Sequence, residues 1–352
     1  MDKREVFVIG LMSGTSLDGI DLVYVKFKKD DVAFFEIIHA ETVAYAAEWK
    51  QMLQNAIHFS SEELLALDTT YGKHLGDVTA NFIANYKIEA IDFIASHGHT
   101  ILHQPEKGIT LQVGSGKEIA KITNQKVVCD FRTQDVALGG QGAPLVPIGD
   151  ELLFSEHDFC LNLGGFSNVS FHKDGVRVAF DICPVNIVLN FYANKMGLAY
   201  DASGKIASEG KINEQLLETL NALEFYKIAP PKSLGLEWVQ AAVFPLIDKL
   251  EADVSVILRT FVEHIAIQIA TVVKDSNAVL ITGGGVFNSF LMERIKETAT
   301  IKVVASSDAL INYKEALIFA FLGVLKINNQ VNCLKSVTGA SENHSSGVIF
   351  LP

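Results

Sequence analysis

The residues best placed to do chemistry lie between two apolar runs near the start of the chain, in VFVIGLMSGTSLDGIDLVYVKF, Val6 to Phe27. Val6–Ile9 and Leu22–Phe27 read as strands, and Gly10 to Asp21 reads as the loop between them. Gly10, Gly14 and Gly19 let backbone approach a ligand closely. Ser13, Thr15 and Ser16 add hydroxyls, and Asp18 and Asp21 are oxygen donors suited to a hydrated Mg²⁺. A turn of this kind presents backbone N–H groups to an anion, usually phosphate. The plainer alternative is a polar hairpin turn, but two to five residues suffice for that, and this loop is longer.

Asp181 closes an apolar strand just ahead of Pro184 and Asn186, where a helix begins. Its carboxylate could cap that helix, or serve as a general base delivered into a cleft by the strand. The residues leave both roles open. His97, His99 and His103 form an H-x-H-x₃-H cluster after another strand, a pattern open to metal ligation in a hydrolase or to a substrate-lining or structural polar loop. Common signatures fail. Gly114–Ser115–Gly116–Lys117 lacks the first P-loop glycine (Leu111 stands there) and the Ser/Thr that follows Lys (Glu118 instead). Gly283–Gly284–Gly285 has Asn288 where a dinucleotide fold needs glycine, and no G-x-S-x-G elbow occurs.

These groups need a scaffold, and 352 residues suit two domains. Composition is that of a soluble protein, 49% apolar and 20% charged. A net charge of −12 argues against nucleic acid or an anionic membrane as main partner. Phosphate must then be held locally, by amides, hydroxyls and metal. The scattered cysteines, without a CxxC pair, read as buried thiols in a reducing compartment. Met1–Glu5 leads into too few apolar residues for a signal peptide, and the apolar run Ala316–Leu325 is about half a membrane span. A cytoplasmic protein is expected.

Strands and helices alternate throughout. Expected are a strand over Val32–Ala40, helices over Trp49–His58 and Ser61–Tyr86, and a strand over Ile91–Ser96 followed by a polar loop, His97–Gln104. Ser60 or Ser61 caps the second helix, with Glu63 or Glu62 in its first turn. The opening pattern then recurs: strand Phe159–Leu163, a turn at Gly164–Gly165, and strands Phe166–Phe171 and Val176–Asp181. Two glycine turns, each between strands and followed by a third, suggest a duplicated α/β unit. Further on come a helix over Val254–Lys274, a strand into the triple glycine, and an apolar helix over Tyr313–Ile327.

In order along nearly the whole chain stand GLMSGTSLDGID (10–21), SHGHT (96–100), TLQVG (110–114), DFRTQDVALGGQGAPLVP (130–147), NLGGFSN (162–168), PPKS (230–233), TGGGVFN (282–288), EALIFA (315–320) and TGA (338–340). With them the sequence resembles the anhydro-N-acetylmuramic acid kinase family, within the actin, hexokinase and Hsp70 ATPase superfold. The resemblance implies two ribonuclease H-like domains, residues 1–130 with 310–352, and residues 131–309, with ATP in the cleft. Gly14, Thr15, Ser16, Leu17, Asp18, Gly19, Ile20 and Asp21 fall in the first phosphate loop. Asn162, Gly164, Gly165 and Asn168 fall in the second, and Gly283, Gly284, Gly285 and Asn288 in the adenosine segment. Asp181 matches the catalytic base, which activates water to open the anhydro bridge of 1,6-anhydro-N-acetylmuramic acid. The freed O6 takes the γ-phosphoryl of ATP, giving N-acetylmuramic acid 6-phosphate in peptidoglycan recycling. Thr100, Gln112, Arg132 and Glu315 lie in segments expected to line the sugar site, with Arg132 suited to the lactyl carboxylate. Mg²⁺ and a homodimer are implied as well.

This chain departs from the family where D-T-G-P-G-N becomes Asp181–Ile182–Cys183–Pro184–Val185–Asn186, and where SHGQT becomes SHGHT. If the lost glycines let backbone approach the sugar, a tighter or shifted pocket is expected. A related anhydro-sugar, or a degenerate nucleotide-binding regulatory member of the superfold, are the alternatives.

Overall fold

The computed structural model describes residues 4–14, 17–274, 276–304 and 306–352. In chain order the strands are β1 (Glu5–Ser13), β2 (Gly19–Lys28), β3 (Phe35–Ala44), β4 (Phe93–Gln104), β5 (Ile109–Val113), β6 (Val127–Cys129), β7 (Phe159–Leu163), β8 (Phe166–Lys173), β9 (Val176–Pro184), β10 (Val279–Thr282), β11 (Val303–Val304) and β12 (Val348–Phe350). The chain divides into two compact units: Met1–Ser155 with Tyr313–Pro352, and Glu156–Asn312. Residues 131–155 fall in the first unit and 310–312 in the second, which moves both boundaries from those the family resemblance implies.

The sheet of the first unit runs β12-β6-β4-β1-β2-β3, with β5 paired to β4. β1, β2 and β3 form an antiparallel meander, and β4 lies parallel to β1 and β6 parallel to β4. The second unit runs β11-β10-β7-β8-β9. There β7, β8 and β9 are the meander, with β10 parallel to β7 and β11 parallel to β10. One topology thus occurs twice, a meander whose first strand is extended by two parallel strands. This is the expected ribonuclease H-like α/β arrangement.

In the first unit Ile9 and Leu11 of β1 share a core with Leu67, Tyr71 and Leu75 of helix Ser61–Asn85 and with Ile119 of helix Gly116–Thr123. Ser60 accepts from the Glu63 N–H and Glu63 accepts from the Ser60 N–H, so the helix start carries a full capping box. Alternation along β1 turns Gly10 to the opposite face, onto helix Asp308–Ile327: a Cβ there would lie 2.3 Å from the Ala316 carbonyl oxygen. In the second unit helix Val254–Val273, capped by Asp253, packs Leu258, Val262 and Ile265 against Leu161, Leu163, Val279 and Ile281. It is the one helix among the described residues long and apolar enough to cross a membrane, and with 72% of that window buried it is a core helix.

Several boundaries differ from the sequence reading. β1 and β2 stay paired as far as Ser13 and Ile20, so the first loop shrinks and Gly10 is a strand residue serving helix packing. His97–Gln104 is strand, because β5 folds back to pair with it from His99 to Gln104. β3 begins at Phe35, β9 continues to Pro184, and the last long helix begins at Asp308.

Candidate active site

In the first unit the turn between β1 and β2 bends through Leu17, whose φ is +59° and whose N–H donates to the Gly14 carbonyl at 3.3 Å. Thr15 and Ser16 lie outside the described residues. Leu17 and Ile20 are buried in the core of this unit. Gly19 is required by the sheet itself, since a Cβ would lie 2.6 Å from the Val43 carbonyl oxygen. Below the turn, Ser13 Oγ meets Tyr45 OH at 2.5 Å, Tyr71 OH at 2.9 Å and His99 Nδ1 at 2.9 Å, a buried hydroxyl cluster that anchors the end of β1. Sequence reasoning missed both tyrosines, which sit in segments carrying no motif. Asp18 is exposed. Asp21, half-buried in β2, accepts from Thr42 Oγ1 at 2.6 Å. Burial raises its pKa, the Thr42 bond opposes this, and the Asp18 charge adds to the rise.

The β4–β5 hairpin brings two expected sugar-site residues together: Gln112 Nε2 donates to Thr100 Oγ1 at 3.2 Å. Arg132 joins them through the same strand. Its Nε–H donates to His97 Nε2 at 2.9 Å and its Nη1 to the Gly142 carbonyl at 2.6 Å. Burial lowers the Arg132 pKa to about 10, against the pull of Glu315, so it stays charged at neutral pH. Solvent reaches Glu315, yet enough protein surrounds its carboxyl that burial raises the pKa; Arg132 opposes the rise and Asp21 reinforces it. These groups set an arginine beside neutral hydrogen-bonding side chains, next to carboxylates that repel each other.

The histidine cluster does not converge on a metal. His97 Nε2 receives Arg132, while Nδ1 lies 3.0 Å from the Gly98 carbonyl and therefore carries the proton. His99 is turned to Ser13 and His103 to Thr110. Burial, and next the Arg132 charge, hold His97 well below its ordinary pKa and keep it a neutral acceptor.

In the second unit strand register lines up a polar row. Asn162 of β7 sits opposite Asn168 of β8, and Asn168 opposite Asp181 of β9. Directly paired residues share a face, so three polar side chains cross a sheet whose other face is core. Asp181 caps nothing. Its Oδ2 accepts the Leu234 N–H at 2.7 Å, and its own N–H donates to the Lys232 carbonyl at 3.1 Å. Helix Asn186–Asn194 begins without a side-chain cap. Burial raises the Asp181 pKa and the Leu234 N–H opposes it.

Gly164 and Gly165 turn between β7 and β8, and their carbonyls accept the N–H groups of Val185, Asn186 and Ile187. That helix start is therefore tied to the loop. Gly283, at φ +88°, packs so closely that a Cβ would lie 2.5 Å from Asn162 Oδ1, and one on Gly285 would lie 2.7 Å from the Leu163 Cβ. A Cβ on Gly284 would meet nothing within 4 Å, so its backbone is open. The triple glycine and the second loop are thus neighbours. Asn288 Oδ1 accepts the Leu291 N–H at 3.0 Å, capping helix Ser289–Ala299.

The departures at 182–185 turn inward. Ile182, Cys183 and Val185 are members of the apolar core of this unit. Ile182 is the extra residue of a bulge, since Ser167 pairs with Cys183 and Asn168 with Asp181. The three side chains fill core and do not join the polar row. Burial pushes the Cys183 thiol up to about 12, so it stays protonated and unreactive.

A family model described as anhydro-N-acetylmuramic acid kinase matches residues 6–352. The chain is 32% identical over 391 residues to the anhydro-N-acetylmuramic acid kinase of Bacillus thuringiensis subsp. konkukian (strain 97-27), covering 99% of this chain and 100% of that protein. It is 33% identical over 364 residues to that of Legionella pneumophila (strain Corby), covering 97% of each. Among solved structures it is similar to a ligand-bound xylulose kinase from Lactobacillus acidophilus, at 12% identity and TM-score 0.43 over 90% of each chain.

Proposed function

The chain belongs to the anhydro-N-acetylmuramic acid kinase family, and from that premise we propose that it uses ATP to convert 1,6-anhydro-N-acetylmuramic acid to N-acetylmuramic acid 6-phosphate in peptidoglycan recycling. The observation that carries the reading is the placement of Asp181, a half-buried carboxylate that caps no helix, is held by one N–H, and shares a sheet face with Asn162 and Asn168. One carboxylate oxygen anchored by Leu234 leaves the other to take a proton from the water that attacks the anomeric carbon. The opened bridge frees O6, which attacks the γ-phosphorus as ADP leaves.

On the sugar side, Arg132 holds the lactyl carboxylate, oriented by neutral His97, with Thr100, Gln112 and Glu315 bonding to the ring substituents. Each unit offers its own phosphate-binding candidates, the glycine turn Gly14–Asp21 in the first and Gly164–Gly165, with Asn162 and Asn168 beside them, in the second. Gly283–Gly285 and Asn288 serve the adenosine. Asp18 and Asp21 fit Mg²⁺, because the burial and mutual repulsion that raise the Asp21 pKa are what a divalent cation relieves. Mg²⁺ bound there would neutralise charge on the transferring phosphoryl. A cytoplasmic homodimer completes the proposal.

Turnover in water enriched in heavy oxygen tests it. Label belongs on the anomeric hydroxyl of the product and not on its phosphate. Label in the phosphate, or ATP hydrolysis unaffected by the anhydro-sugar, overturns the reading.

A further inference from the structure

Away from the polar row and the arginine patch, one buried cluster has no part in the proposed reaction. Cys333 and His344 face each other across an isolated antiparallel bridge, with the Cys333 N–H donating to the His344 carbonyl at 3.1 Å and the reverse bond at 3.2 Å. Directly opposed residues project to one side of such a bridge, close enough to share a ligand. Asp135, on helix Thr133–Ala137, completes the group, and the three donor atoms lie within 4.8 Å of one another. All are sealed from solvent: Asp135 is 0% exposed, Cys333 1% and His344 6%.

The His344 ring carries the strongest pointer. Nδ1 lies 3.1 Å from the Glu342 carbonyl, so Nδ1 carries a proton and donates it. Nε2 is buried, makes no hydrogen bond, and lies 3.5 Å from Asp135 Oδ1. A neutral imidazole in this tautomer would set two acceptors against each other in a dry site, an arrangement that a cation between them relieves. A ligand histidine commonly donates its second N–H to a backbone carbonyl, as here. Asp135 is oriented by further bonds, from Thr338 Oγ1 at 2.7 Å and from the Gly142 N–H at 2.7 Å.

We infer that Asp135, Cys333 and His344 form a structural site for a divalent transition metal of the zinc class. Thiolate, imidazole and carboxylate are the donor types that zinc takes. Thiolate, carboxylate and a dication sum to zero charge, so the site tolerates the nearby Arg132. The metal ties the C-terminal segment to helix Thr133–Ala137 and, through Gly142, to the loop whose carbonyl holds Arg132.

The test uses the whole protein, stripped with a chelator and titrated with Co²⁺ and then Zn²⁺. One equivalent should bind, with the intense thiolate-to-cobalt absorption, and Zn²⁺ should raise the melting temperature. Cys333→Ser and His344→Gln should each weaken binding at least tenfold and lose the zinc-dependent rise. The absorption band is read on the unaltered chain, so poor folding of a variant leaves the question decidable. Absence of the band with an unchanged melting temperature overturns the site. Binding by Cys333→Ser equal to that of the unaltered chain overturns it too.

Discussion

Arg132 donates its Nε–H to Nε2 of His97 across 2.9 Å, and that bond orients the guanidinium from below. His97 is packed at 4.5 Å against the Phe319 ring and is kept neutral by burial, so it offers a fixed lone pair and no competing charge. With Nη1 on the Gly142 carbonyl, the remaining donors of the fork are left for a carboxylate.

Arg132→Ala should therefore raise KM for a lactyl-bearing sugar roughly 10–150-fold, the range for a charged hydrogen-bonded contact. An analogue lacking the lactyl group should lose far less. Arg132→Lys should recover little, since one ammonium cannot reproduce the fork. Equal losses on both sugars would show that Arg132 does not read the carboxylate.

Asp181→Asn keeps the shape of the side chain and its bond from the Leu234 N–H but removes the proton acceptor. It should fold, bind ATP as before, and lose about 10²–10⁴-fold in kcat. Because burial raises the Asp181 pKa, the acid limb of the activity profile should lie above the ordinary carboxylate range. A substantially active Asn variant removes Asp181 from the chemistry.

Gly10→Ala tests the packing of the first sheet on helix Asp308–Ile327. The new Cβ would meet the Ala316 carbonyl oxygen at 2.3 Å and the Ala320 Cβ at 2.9 Å, and backbone cannot swing aside. Denaturant unfolding should show a loss of about 1–3 kcal/mol, the usual cost of overpacking. Unchanged stability would mean the helix does not sit as described.

Acid should weaken the fold through buried neutral histidines. Burial lowers the pKa of His99 to about 4 and of His264 to about 3. The unfolded chain titrates these groups near 6.5, so it binds more protons than the folded chain below that value. Their contribution is complete above about pH 6.5 and is lost as pH falls toward their folded values, on the order of 3–5 kcal/mol each. His264 donates to Asn221 Oδ1 at 2.6 Å and accepts from Tyr226 OH at 2.9 Å. The melting temperature of His264→Gln should fall less steeply between pH 7 and pH 5 than that of the unaltered chain; identical slopes would contradict the assignment.

Local chemistry made much of this legible in the sequence alone. Short apolar runs marked β1, β2 and β7 to β9, Ser60 and Glu63 marked a helix start, and the glycine turns after β1 and β7 pointed to a duplicated unit, because each signal depends on neighbours a few residues away. What tertiary structure decided was register and side-chain direction. A pairing slip of one residue reverses every side chain, so only the folded sheet could set Asn162, Asn168 and Asp181 on one face and bury Ile182, Cys183 and Val185. The same holds for contacts between distant segments. Nothing near His97 announces Arg132, 35 residues on, and nothing near Asp135 announces Cys333 and His344. Those contacts follow from long-range packing, whose outcome depends on the whole core at once and is written in no single segment.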